Sequence, residues 1–92
     1  MRIPVKKYGD LLVSRPAGRE ALAAMLVVLP PVDPDEPVEL DFEGVIVVAP
    51  SWLDEVLTGL RERFGSRVQC LASTNASLMA SLSVLERGPP SN

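Results

Sequence analysis

Five apolar residues in a row, Val45-Ile46-Val47-Val48-Ala49, lie between Gly44 and Pro50 and lead directly into an amphipathic stretch. A segment apolar at every position reads as a strand buried on both faces, like the central strands of an α/β sheet. Just before it, Val38, Leu40 and Phe42 alternate with Glu39 and Asp41, the two-residue period of a half-buried strand. The two pieces read as one strand segment, interrupted at Gly44 and ended by Pro50. From Ser51 to Phe64 the period changes. Leu53, Val56, Leu57, Leu60 and Phe64 recur at helical spacing and form one stripe. Asp54 and Glu55 near the start and Arg61 and Arg63 near the end suit the helix dipole, and Gly65 is a ready C-terminal cap. Ser51, with Asp54 three residues on, resembles a capping box with aspartate in the usual Glu/Gln position. A helix with this stripe must dock on the sheet.

The rest of the chain repeats the alternation. Ile3 to Val13 reads as extended, as two short strands around the turn signal Gly9-Asp10. Ser14-Arg15-Pro16 looks like a helix entry, because serine can accept a free N–H and proline is tolerated in the first turn. To about Leu29, the residues Ala21, Leu22, Met25, Leu26 and Leu29 share one face, although Gly18 weakens this helix by about 1 kcal/mol relative to alanine. Pro30 to Pro37 is an acidic, proline-stiffened connector. Arg67 to Ala72 reads as a further strand. Ser73-Thr74-Asn75 then supplies caps for a last helix to about Arg87, with Leu78, Met79, Leu82 and Leu85 inward. The expected architecture is α/β, a single domain over residues 1–87 in the order β-β-α-β-α-β-α. A mixed sheet would carry the packed helices, and residues 88–92 would form a flexible C-terminal tail.

Composition narrows the chemistry. The chain has no histidine, which removes the commonest general base and metal ligand. Cys70 is the single cysteine, too few for a thiolate metal site or an internal disulfide, and its apolar strand suits an inert buried thiol. The six glycines are dispersed, with no phosphate-cradling loop. The adjacent carboxylates Asp54 and Glu55 are ordinary helix-start chemistry. Nine basic residues are scattered among twelve acidic ones, for a formal net charge of -3, which argues against nucleic-acid binding. No segment approaches the roughly 20 apolar residues of a membrane span. No apolar run of signal-peptide length follows the basic amino terminus before Asp10. The expectation is a cytoplasmic protein that is no enzyme and carries no catalytic residue, metal or cofactor.

The stretch Glu39-Leu40-Asp41-Phe42-Glu43-Gly44-Val45, followed by Ser51-Trp52-Leu53-Asp54-Glu55, resembles the STAS-like domain family of unknown function. More distantly it is similar to the STAS domains of anti-sigma-factor antagonists. Ser14-Arg15 and Thr74-Asn75 also fit the pattern, so the resemblance covers about Leu11 to Arg87. It implies a sheet flanked by helices that acts as a protein-binding module in bacterial signalling. The implied partner is a histidine-kinase-like ATPase or an anti-sigma-type regulator, met at the start of the second helix. In the antagonists that helix begins Asp-Ser-Ser/Thr-Gly, with the first hydroxyl phosphorylated. Here Ala49 falls on the aspartate, Pro50 on the acceptor, Ser51 on the second hydroxyl position and Trp52 on the glycine.

The candidate partner-binding residues are therefore Ser51, Trp52, Asp54 and Glu55, with Ser51 also the candidate phosphorylation site. Each has a plainer role. Ser51 serves as a helix cap, and Trp52 packs half-buried at the edge of the stripe. Arg15 and Asn75 read as local capping or loop residues. A regulator of this kind is expected to be a monomer or weak homodimer; the alternative is a structural subunit or self-associating scaffold without a phosphorylation switch.

Overall fold

A computed structural model describes residues 1–86. The elements are β1 (Arg2–Pro4), a 3-10 turn (Val5–Tyr8), β2 (Leu11–Leu12), α1 (Arg15–Val28), β3 (Val38–Asp41), β4 (Val47–Val48), α2 (Pro50–Phe64), a second 3-10 turn (Gly65–Arg67), β5 (Val68–Cys70) and α3 (Ala76–Glu86). The α/β class and the three helices agree with the sequence. The order of elements along the chain does not, because it contains one strand more than β-β-α-β-α-β-α. The segment 38–49, expected as one strand, is two strands belonging to two different sheets: β1-β3-β5 and β2-β4. The break is a turn at Glu43-Gly44, where Gly44 adopts φ 85°, a conformation that costs glycine little and other residues much. All three strand pairings are parallel, so the mixed sheet is corrected to parallel pairs. The expected end of the last helix at Arg87 and the tail at 88–92 lie outside the described residues.

In the three-stranded sheet the chain steps from β1 to β3 to β5 in one direction, with Ile3 beside Leu40 and Leu40 beside Cys70. Two crossovers stepping the same way bring their helices to the same face. The burial pattern agrees: Ile3, Val38, Leu40 and Val68 are buried, whereas Arg2, Pro4 and Gln69 are exposed. The core lies between that face and the stripe of α2, where Leu53, Val56, Leu57 and Leu60 are all buried and Phe64 packs at the margin. The expected alternation of Val38, Leu40 and Phe42 is fully used, each being buried.

Helix α1 begins as its sequence predicts. Ser14 Oγ accepts from Ala17 N–H at 3.1 Å, and Pro16 occupies the first turn. Gly18, unfavourable for the isolated helix, has a tertiary reason. A Cβ there would stand 2.8 Å from the Trp52 carbonyl oxygen, so α1 and α2 approach closely only with glycine at this position. The acidic connector is pinned rather than free, because the Arg67 guanidinium donates to the carbonyls of Asp33 and Glu36.

The smaller sheet pairs β2 with β4. Ala49 N–H donates to the Leu12 carbonyl at 2.8 Å on the β2 side. On its other edge Val48 meets no strand among the described residues. Ser77 Oγ accepts from Val48 N–H at 2.8 Å and donates to its carbonyl at 3.0 Å, to which Ser81 Oγ also donates at 2.6 Å. Helix α3 therefore stands where a third strand would be, its hydroxyls replacing a ladder. This arrangement leaves Ile46 62% exposed, contrary to the two-sided burial expected of the run Val45–Ala49, while Val45 and Val48 are buried. Met79 is likewise corrected from inward to 59% exposed, because the buried positions of α3 are Leu78 and Ser81. No described helix is long and apolar enough to cross a membrane.

Candidate functional site

The start of α2 differs from its sequence expectation in one instructive way. The cap position is Ala49, extended at φ -85° and ψ 150°, and Pro50 is already the first helical residue. Leu53 N–H reaches the Ala49 carbonyl at 3.1 Å, closing the first turn. Ala49 has no side-chain oxygen, so no side chain caps this end. The early N–H groups of a helix have no intrahelical acceptor, and here only Pro50 is exempt, having no N–H. Ser51, expected as the cap and as the head of a capping box, instead sits inside the first turn. It is half-buried, and its hydroxyl makes no hydrogen bond among the described residues. Proline tolerates the first helical position so well that the helix starts two residues earlier than a cap at Ser51 predicts.

Trp52 also moves. It is 1% exposed and meets Phe42 edge-on, with ring centroids 6.5 Å apart and an interplanar angle of 76°. A residue this enclosed presents no surface to a partner, so Trp52 is a core residue rather than a surface anchor. Its indole meets Phe42 just after β3, while its backbone forms the close α1–α2 approach at Gly18.

Asp54 and Glu55 do reach the surface, where two arginines of α1 meet them. Arg15 Nη1 lies 3.0 Å from Asp54 Oδ2 and 2.7 Å from Glu55 Oε2, and Arg19 Nε lies 3.2 Å from Glu55 Oε1. Thr58 Oγ1 donates to Asp54 Oδ1 at 3.3 Å. Hydrogen bonds from Arg15 and then Arg19 hold the Glu55 carboxyl below its ordinary range, and the same contacts, Glu55 first and Asp54 second, raise Arg15. The surface beside Ser51 is thus a charge-balanced cluster of two guanidinium and two carboxylate groups, not an acidic patch. Arg15 is correspondingly a bridge between helices and not a local cap. In the sequence, only the spacing of Arg19 four residues after Arg15 marks it, placing both on one helical face.

A second feature lies at the carboxyl ends of β3 and β5, the usual position for ligand sites in parallel sheets. An open groove of about 650 Å³ runs between the 41–45 and 72–75 segments. Glu43 N–H donates to Asp41 Oδ1 at 3.0 Å on one wall. On the other, Asn75 caps α3 by accepting from Leu78 N–H at 3.0 Å and ties the walls together by donating to the Val45 carbonyl at 2.7 Å. Asn75 therefore does the capping its sequence position predicts. Sequence alone had no signal for the groove, which exists because two loops far apart in the chain end side by side.

Among the described residues, no three His, Cys, Asp or Glu come together as a potential metal site. The Cys70 thiol is pushed up to about 11 by burial, with Arg61 opposing, which leaves little thiolate near neutral pH.

The segment 27–74 matches a family described as a STAS-like domain of unknown function. This chain belongs to that family. The matched segment runs from the end of α1 through β3, β4, α2 and β5 to the loop before α3, so it contains the start of α2 and most of the groove. Neither the curated proteins nor the solved structures provide a match.

Proposed function

We propose that this STAS-like chain is a non-catalytic regulatory module. It binds a histidine-kinase-like ATPase or an anti-sigma-type regulator through the start of α2. The observation that carries this is the uncapped first turn of α2. Ser51 stands there half-buried with an uncommitted hydroxyl, next to the charge-balanced surface of Arg15, Arg19, Asp54 and Glu55. A protein surface that is polar, balanced in charge and built on two rigid helices is selective without being strongly attractive to any single charge.

A phosphate on Ser51 would change that surface sharply. It would meet the free N–H groups of the first turn and bring about two negative charges close to Asp54 and Glu55. The adjacent carboxylates would repel it, and Arg15 would be drawn toward it. Binding would then change while the core under Trp52 stayed intact. The residues carrying recognition are Ser51, Asp54 and Glu55, with Trp52 supporting them from inside.

The test is affinity capture from native cell lysate with and without ATP, read by mass spectrometry and repeated with Ser51→Glu. Enrichment of a kinase-like ATPase in one nucleotide state, weakened by Ser51→Glu, is the expected result. A Ser51→Glu variant that captures the same ATPase undiminished would remove Ser51 from the interface. Recovery of the bait alone would overturn the proposed partner.

A further inference from the structure

The polar bonds that dock helix α3 converge on the segment 45–48, just before α2. Asn75, its cap, donates to the Val45 carbonyl at 2.7 Å. Ser77 Oγ bonds both the N–H and the carbonyl of Val48, and Ser81 Oγ donates to the same carbonyl. Beneath these bonds Leu78 is the one large side chain of α3 that is fully buried, with Leu82 and Leu85 at the margin of the core. Hydrogen bonds are exchanged for bonds to water on opening, so their net hold is small. The helix adds little of its own. Its 11 residues are fewer than the roughly 12–15 that an isolated helix needs, and Ser77, Ser81 and Ser83 are weaker helix formers than alanine. Once undocked, α3 melts, and the conformational entropy it regains favours release. Helix α1 is held differently, by a close approach to α2 at Gly18 and by the ion pairs of Arg15 and Arg19.

We infer that α3 is a releasable clasp, which undocks and unfolds as a unit while the rest of α2 stays folded, and whose release loosens the start of α2. The path between them is short. β4 is two residues long, paired to β2 on one side and to the hydroxyls of α3 on the other. Val48 adjoins Ala49, the cap position of α2, whose carbonyl takes Leu53 N–H and whose own N–H reaches the Leu12 carbonyl. No side chain caps that end of α2. Without α3, Val48 loses the partner of its N–H and β4 is held from one side only. The first turn of α2, with Ser51 in it, loses its anchor, while the buried Val56, Leu57 and Leu60 keep the later turns in place.

A partner that recognises the ordered first turn of α2 selects the docked state, so release of α3 lowers its affinity. That consequence rests on the function proposed above. The release itself does not, and it is read on the chain alone.

The experiment is native-state hydrogen exchange, followed by nuclear magnetic resonance on the full chain at low, increasing urea. The amides of Met79, Leu82 and Leu85 should exchange together, at least about tenfold faster than those of Leu57 and Leu60 and with a weaker urea dependence. Val48, Ala49 and Leu53 should exchange with the α3 set. Gly18→Ala, on the α1 side of α2, should speed Leu57 and Leu60 about fivefold and leave the α3 set unchanged. A single rate and urea dependence shared by both sets would overturn the inference, because α3 would then open only with the whole chain. Equal acceleration of both sets by Gly18→Ala would overturn it in the same way. Release of α3 with Ala49 and Leu53 exchanging alongside Leu57 and Leu60 would overturn the link to α2. Failure to capture an ATPase changes none of these readings, so the clasp and the proposed partner fail separately.

Discussion

Helices α2 and α3 each follow a parallel strand and each pack into the same core, yet they are held by different physics. α2 buries five residues, Trp52, Leu53, Val56, Leu57 and Leu60, and turns Arg61, Glu62 and Arg63 outward. Its attachment is area removed from water, which is strong and indifferent to direction. α3 buries only Leu78 and Ser81 and is fastened by hydroxyls to one residue's backbone, Val48. That attachment is modest in net strength but exacting in geometry. The difference explains their outward faces. α2 can afford a charged exterior because its stripe alone secures it, whereas α3 exposes Met79 and Val84 among the described residues.

The contrast is most severely tested in the core. Leu60→Ala removes a fully buried side chain and should cost about 2–5 kcal/mol, enough to unfold much of a marginal domain. Urea denaturation measures it. The double variant Ser77→Ala, Ser81→Ala leaves the N–H and carbonyl of Val48 without partners and should cost about 2–3 kcal/mol. If the serine pair proved costlier than Leu60, the division between an area-held and a hydrogen-bond-held helix would fail.

Gly18→Ala sharpens the same comparison on the α1 side. Helix propensity alone favours alanine by about 1 kcal/mol, but the new Cβ would stand 2.8 Å from a backbone oxygen that no rotamer can move. Overpacking should prevail, giving a net loss of about 1 kcal/mol in chemical denaturation.

The smallest effect belongs to the surface cluster. Replacing Arg15 and Arg19 with alanine should lower the melting temperature slightly at low salt and hardly at all at high salt, since exposed ion pairs are screened. The sign with pH follows from Glu55. Its carboxyl is held below its ordinary range in the folded chain, so its contribution is present above the unfolded value and disappears as pH falls through the folded one. Melting curves of wild type and the double variant should therefore converge in acid and separate toward neutral pH.

Much of the architecture was readable without coordinates. The alternation of Val38, Leu40 and Phe42, the stripe of α2, the cap at Ser14 and the cap at Asn75 are all local patterns, and the folded chain uses each as local rules predict. The candidate site was legible in part. Asp54 and Glu55 were placed on a surface, but their partners Arg15 and Arg19 lie 36 to 40 residues away and carry no sequence mark of the meeting. The cap falls two positions before Ser51, at Ala49, because Pro50 competes for the helix start.

By itself, then, the sequence determined the periods: which segments extend, which coil and which side of each turns inward. Those follow from steric and hydrophobic rules acting over a few residues. Only the tertiary structure decided that segment 38–49 divides between two sheets, that a helix replaces the third strand beside Val48, and that Trp52 lies inside. Each of these depends on a backbone group or a cavity finding its complement across the fold, at Ser77 and Ser81 for Val48 and at Phe42 for Trp52. Such complements are set by three-dimensional packing, which no spacing along the chain encodes.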